Sequence, residues 1–173
     1  MKKITKQKMI LLIAGLLLVL LVMHPQIVLL DGDHTIDSEL ALFIVPDIEK
    51  CYSNANDGLY MKDGKDDFSH EQNLMIFDNR NVLIMGCGHA GVVNILEKAV
   101  AYKPEVCVGG YHLWNAINKK SASDELLEDI ATELAKYSIN YYTCHCTGQK
   151  AYDYLSRQLP NMSYLSCGDS VEI

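Results

Sequence analysis

Apolar residues along the chain fall into short continuous runs that alternate with stretches in which they recur every three or four positions. "ELALFIVPDI" predicts a strand stopped by Pro46. "CYSNANDGLYMKDGKDDF" is polar and turn-rich, with bends expected at Gly58 and Gly64. "NLMIF" and "NVLIMG" are two apolar runs joined by "DNR", the pattern of a hairpin. A helix is expected from about Gly91 to Tyr102, because Val92, Ile95, Leu96 and Ala99 recur at i, i+3, i+4 and i+7. "EVCVGG" predicts the next strand. "SASDELLEDIATELAKYS" predicts a helix capped by Ser123, with acidic residues in its first turn and Leu127, Ile130 and Leu134 along one face. "NYYTCH" reads as a strand and "GQKAYDYLSRQL" as a helix ending before Pro160, and "SYLSCG" and "VEI" close the chain as strands. Strands thus alternate with helices after Asn73, an α/β layered pattern in one domain from Asp31 to the end.

The first thirty residues break this pattern. Lys2, Lys3, Lys6 and Lys8 precede an uncharged apolar run from Met9 to Met23, which "HPQ" interrupts before "IVLL". The first run is shorter than the roughly 20 residues a bilayer span needs. It matches the apolar region of a signal peptide behind a basic start, but the bulky "LVMHPQ" offers no cleavage site. Residues 1–30 therefore read as a signal-like or uncleaved anchor segment, with lysines on the cytoplasmic side and the rest exported or membrane-anchored. The alternative is a buried element of a cytoplasmic fold.

The net charge of −7 comes with no basic stripe beyond the N-terminus, which argues against a nucleic-acid partner. The six cysteines contain no C-x-x-C pair, so a zinc ribbon is not indicated. Four of them, Cys87, Cys107, Cys144 and Cys167, lie in or beside apolar strand-like runs, and buried thiols are the expectation.

Three histidines stand out by position. His89 ends "NVLIMGCGH", His112 ends "EVCVGGYH" and His145 ends "NYYTCH". Each follows an apolar strand and precedes a loop or helix, where α/β sheets gather their binding sites. Small neighbours at each position leave room for a ligand. Neutral imidazole is the commonest metal-ligating side chain, and three delivered to one rim suit a zinc-like or iron-like ion. His34, among carboxylates in "DGDHTID", reads as a solvated turn, with a metal corner as the alternative, and His24 lies in the hydrophobic N-terminus. His70 sits with Asp66, Asp67 and Glu71; the acidic stretch is read as a loop or cap, with a cation site or the orientation of a site histidine as the alternative. Nucleophilic chemistry is poorly supported. There is no G-x-S-x-G, and strand neighbours point to opposite faces, so His145 is not expected to activate Cys144 or Cys146. No glycine-rich phosphate loop is present.

At "DDFSHEQNLMI", "GCGHAGVVNIL", "VGGYHLWN", "YYTCHCTGQKAYDYL" and "YLSCGDSVEI" the chain resembles the metallo-β-lactamase superfamily of metal-dependent hydrolases. It is most similar to the branch named for dihydropterin-ribofuranosylaminobenzene-phosphate synthase. The resemblance runs from about Ile36 to Ile173. It implies an αββα sandwich with a one- or two-metal site at the sheet edge. It makes His89 the family's mid-chain metal histidine and His145 its late one, assigned to the second metal. It matches His112 to a histidine of this branch near the bridging aspartate of others. The implied cofactor is a divalent metal, zinc foremost, with iron or manganese as alternatives. The implied substrate is a phosphate-bearing or pterin-like small molecule.

The chain departs from the family at one point. The H-x-H-x-D-H motif, which supplies most ligands and the carboxylate that positions water, is absent; "GDHTIDSE" holds a D-H pair without the upstream histidines. The expected architecture is therefore the C-terminal half of the sandwich behind a hydrophobic segment, with one sheet face left open. Three functions follow from the resemblance: a degenerate hydrolase with little activity alone, a metalloenzyme completed by a homodimer or partner chain covering the exposed sheet, or a membrane-tethered binding module that has lost the metal.

Overall fold

A computed structural model describes residues 28–173, and its folded unit runs from Asp31 to Ile173. The predicted anchor falls largely on residues 1–27 and so lies outside the described residues. Among those described, no helix is long and apolar enough to cross a membrane.

The chain is mixed α/β. In order, its elements are β1 (His34–Thr35), β2 (Leu40–Ile44), β3 (Tyr60–Met61), β4 (Gly64–Lys65), β5 (Gln72–Ile76), β6 (Val82–Ile84), α1 (Val92–Ala99), β7 (Val106–Gly109), β8 (Trp114–Asn115), β9 (Lys120–Ser121), α2 (Asp124–Leu134), β10 (Asn140–Thr143), α3 (Gln149–Gln158) and β11 (Met162–Tyr164). The main sheet has seven strands in the order β1-β2-β5-β6-β7-β10-β11. The β5–β6 hairpin is antiparallel, as the two apolar runs predicted, and β2 and β1 extend that half antiparallel. From β6 onward the strands are parallel.

The parallel half explains the layering. β6, β7, β10 and β11 advance in one direction across the sheet, each joined to the next through a helix. Right-handed crossovers then put all three helices on one face. The core bears this out. Ala41, Met75, Leu83, Cys107, Tyr141 and Met162 lie opposite one another across the strands. All six are buried in one cluster with Leu96, Leu127, Ile130, Leu134 and Leu155 from the helices. Ser123 caps α2 by accepting a hydrogen bond from the Leu126 amide at 3.3 Å, and Asp124 and Glu125 occupy the first turn.

The opposite face is also apolar. Leu42, Leu74, Ile84, Val108 and Tyr142 form one row in register, and Leu40, Ile76 and Val82 belong to the next. None of these residues joins the core cluster; Ile84 is 37% exposed and the others are half-buried, while the second row continues through the fully buried Val106 to the polar Asn140. A solvated sheet face would alternate to polar residues here.

Three expectations need correction. "VEI" forms no strand, because pairing along β10 ends with the Leu165 amide on the Thr143 carbonyl and the chain then turns at Ser166–Asp169. The polar stretch after Cys51 is turn-rich as expected, but it also carries the short β3–β4 hairpin, which its pattern did not predict. The strand read in "NYYTCH" stops at Thr143, and His145–Thr147 form a 3-10 turn.

The one-sided core makes a direct prediction. Leu83→Ala, at a fully buried position, should cost about 2–5 kcal/mol, whereas Ile84→Ala on the adjacent outward position should cost under about 1 kcal/mol. Urea denaturation of the two variants checks it, and equal losses would show a core on both faces.

Candidate metal centre

β6, β7 and β10 are neighbours and parallel, so the loops that follow them leave from one edge of the sheet. Backbone bonds then tie those loops together. The Gly110 amide donates to the Gly86 carbonyl at 2.9 Å, and the Leu113 amide to the Cys146 carbonyl at 3.0 Å. The Tyr111 amide donates to Thr147 Oγ1 at 3.0 Å, and that hydroxyl also bonds Thr143 Oγ1. Glycines allow this closeness. Gly88 has φ +64, and a Cβ there would sit 2.5 Å from the Gly110 carbonyl oxygen.

His89 and His112 are brought into contact, with ring centroids 3.9 Å apart. His89 is held on several sides. Phe68 stacks on its ring at 4.9 Å, and its Nδ1 lies 2.9 Å from Asn56 Oδ1. Asn56 Nδ2 returns a bond to the His89 carbonyl at 2.9 Å. The Glu71 carboxylate accepts the amides of His89 and Ala90, one on each oxygen, at 3.1 Å. In the tautomer that donates Nδ1–H to Asn56, the Nε2 lone pair is free, which is how a ligating histidine is commonly fixed. His112 has a left-handed backbone, φ +43, and its carbonyl accepts the Ser53 hydroxyl at 2.7 Å. Its Nδ1 is buried without a hydrogen-bond partner.

His145 stands beside sulfur. Its Nε2 is 3.3 Å from Cys87 Sγ and its Nδ1 is 3.2 Å from Cys144 Sγ. The donor atoms of Cys87, His145 and Cys146 all lie within 4.8 Å of one another. The expectation that His145 and Cys144 diverge was drawn from strand geometry and fails because the strand ends before them. The buried-thiol expectation holds for Cys107 alone of its four; Cys87 and Cys144 are half-buried at the rim and Cys167 is exposed. A cleft of about 580 Å³ opens beside His145, between Val108 and Tyr142 of the outward sheet face and Tyr164, Cys167 and Asp169.

Burial sets the electrostatics. It holds both His89 and His112 below the ordinary histidine range; Glu71 and Asp66 partly offset this at His89, and the neighbouring His89 adds to it at His112. Both are thus neutral at physiological pH, the form that ligates metal. Burial pushes the Cys146 thiol up to about 12.

Of the remaining histidines, His70 is exposed 3.6 Å from Asp66, and His34 lies exposed on edge strand β1; His24 is outside the described residues. Glu71 does orient a site histidine's loop, whereas Asp67 turns back on the Ser69 amide. Asn56, Cys87 and Cys146 are the site residues that the histidine pattern missed. Asn56 gives no signal in sequence. The cysteines do: one stands two positions before His89 and the other directly after His145.

The resemblance implies a divalent metal. The orphaned Nδ1 of His112 and the clustered thiol and imidazole donors both suit one.

No family model matches the chain. Over 114 residues, 65% of its length, the chain is 31% identical to the uncharacterized protein MJ0448 of Methanocaldococcus jannaschii. The match covers 42% of that protein, so the chain spans less than half of the relative's length.

Two predictions follow from this geometry. Gly88→Ala strains a left-handed backbone and drives a Cβ into the Gly110 carbonyl, so it should cost about 2–4 kcal/mol in urea denaturation. The second concerns pH. Histidines whose pKa is depressed by folding bind protons more readily in the unfolded chain. Their contribution is complete above the unfolded pKa of about 6.5 and is lost as pH falls through the folded values. The urea midpoint of metal-free protein should therefore drop between about pH 7.5 and about pH 5, and less so in His112→Asn, which tolerates the left-handed backbone. An unchanged drop in the variant would contradict the assignment to His112.

Proposed function

We propose that this chain is the metal-carrying part of a metal-dependent hydrolase of the metallo-β-lactamase type, with little activity alone. The observation that carries this reading is the meeting of the loops bearing His89, His112 and His145 at one sheet edge, where His89 and His112 touch and His145 gathers with Cys87 and Cys146. His89 and His112 offer neutral imidazoles, and His145, beside the cleft, has Cys87 and Cys146 as its grouped donors among the described residues. When bound, a zinc-like ion supplies Lewis acidity and a water of lowered pKa for attack on a phosphoryl or acyl centre. What the chain's own residues do is position: Asn56, Glu71 and Phe68 fix His89, and Ser53 holds the His112 backbone. No carboxylate is gathered with the clustered donors among the described residues to orient a water, which favours weak or absent turnover by the chain alone.

One observation favours the partner-completed alternative. The outward sheet face is apolar over two rows of residues, and its Val108 and Tyr142 line the cleft that reaches His145. A homodimer or partner chain laid on that face would bury it and reach the metal rim together. The matched relative is more than twice as long as the matched segment, which leaves room there for such a layer in one chain. A substrate of phosphate-bearing or pterin type, and an anchored or exported location, are parts of the same proposal.

The test is metal content. The purified full chain should carry about one equivalent of zinc, iron or manganese by elemental analysis, falling at least about tenfold in His145→Ala. A metal-free wild-type chain that also takes up none on dialysis would favour the binding-module alternative. Phosphodiesterase turnover by the isolated chain would overturn the claim of inactivity, and self-association would favour completion in trans.

A further inference from the structure

The rim holds more than histidines. Cys87 comes from the loop after β6, and His145 and Cys146 from the loop after β10, so the three reach across the intervening end of β7. They meet because Gly110, which follows β7, has no side chain. A Cβ there would occupy the space of Cys146 Sγ. That thiol lies 3.5 Å from the Cys87 carbonyl oxygen, to which it donates. Around a tetrahedral zinc, with Zn–S of about 2.3 Å and Zn–N of about 2.0–2.1 Å, neighbouring donor atoms stand about 3.6–3.8 Å apart. The 3.3 Å between Cys87 Sγ and His145 Nε2, and the 4.8 Å limit on the whole trio, lie close to that arrangement without an ion.

His145 is oriented for the task. With Nδ1–H directed at Cys144 Sγ, 3.2 Å away, its Nε2 lone pair faces the other two donors. Cys144 is then a positioning residue.

We propose that Cys87, His145 and Cys146 form a thiolate–imidazole site for one zinc ion, with the fourth position left to an exogenous ligand. This rests on the metal reading of the rim and sharpens it. Two sulfurs select zinc over manganese or magnesium, whose sites are built from oxygen donors. Binding releases the two thiol protons to solvent and leaves a site with no net charge.

Cobalt(II) titration of the full chain under reducing conditions tests it. The expected result is one equivalent bound, with tetrahedral visible bands, intense sulfur-to-cobalt charge-transfer absorption in the near ultraviolet, and displacement by zinc. Cys87→Ser and Cys146→Ser should each lose about half of the charge-transfer intensity, while Cys144→Ser keeps it. Gly110→Ala, which forces Cys146 Sγ aside, should weaken binding at least about tenfold. Because the cysteine variants can fail to fold, X-ray absorption of the zinc-loaded wild-type chain gives a second measurement, with sulfur scatterers expected at about 2.3 Å. Cobalt bound without charge transfer, or zinc ringed by nitrogen and oxygen alone, overturns the thiolate site and leaves the histidine reading standing. No uptake of either metal overturns both.

Discussion

The parallel register of β6, β7 and β10 is the constraint on which the rest of the structure depends. It sends three loops off one sheet edge, spaced by neighbouring strands that lie about 4.8 Å apart. At that spacing, side chains from three separate parts of the chain can share one ligand. The backbone bonds from Gly110 to Gly86 and from Leu113 to Cys146 then turn adjacency into contact. Each needs close backbone approach, and the glycines at 88 and 110 supply it where any side chain would push the loops apart.

The same register decides the layering. Because the parallel strands advance in one direction, the helices collect on one face and build a single core from Ala41 to Met162. The other face keeps its apolar rows without joining that core. Burying such rows is worth roughly 25 cal/mol per Å², so a second layer on them would contribute substantially to stability. That face and the rim of histidines and cysteines share Val108, Tyr142 and the cleft beside His145. Whatever covers the sheet would therefore also border the site, which links the chain's stability to its chemistry.

Within the rim the two chemistries divide. His89 and His112 touch each other and are kept neutral by burial, with Asn56 and Glu71 fixing the first. His145 keeps company with thiols. A hard, oxygen-loving ion would find little here, and a borderline-soft one finds both donor types.

Much of the fold was legible in the sequence because its signals are local. The 3.6-residue recurrence of Val92, Ile95, Leu96 and Ala99, the Ser123 cap and the β5–β6 hairpin depend on neighbours along the chain, and each element forms where its pattern lies. That His89, His112 and His145 follow apolar strands was legible for the same reason, although β6, β7 and β10 stop at Ile84, Gly109 and Thr143 and leave all three in the loops. What local pattern could not supply was distance. The strand periodicity of "NYYTCH" concealed a 3-10 turn that swings His145 toward two sulfurs, and nothing near Asn56 in sequence marks it as the partner of His89. Cys87 and Cys146 lie 59 positions apart, and only the strand order β6-β7-β10, with a glycine in the gap, brings them to one point. The sequence by itself determined the three helices, the longer strands and the histidines in the loops that follow them. The tertiary structure alone decided which of those ends meet, because parallel pairing depends on contacts remote in sequence.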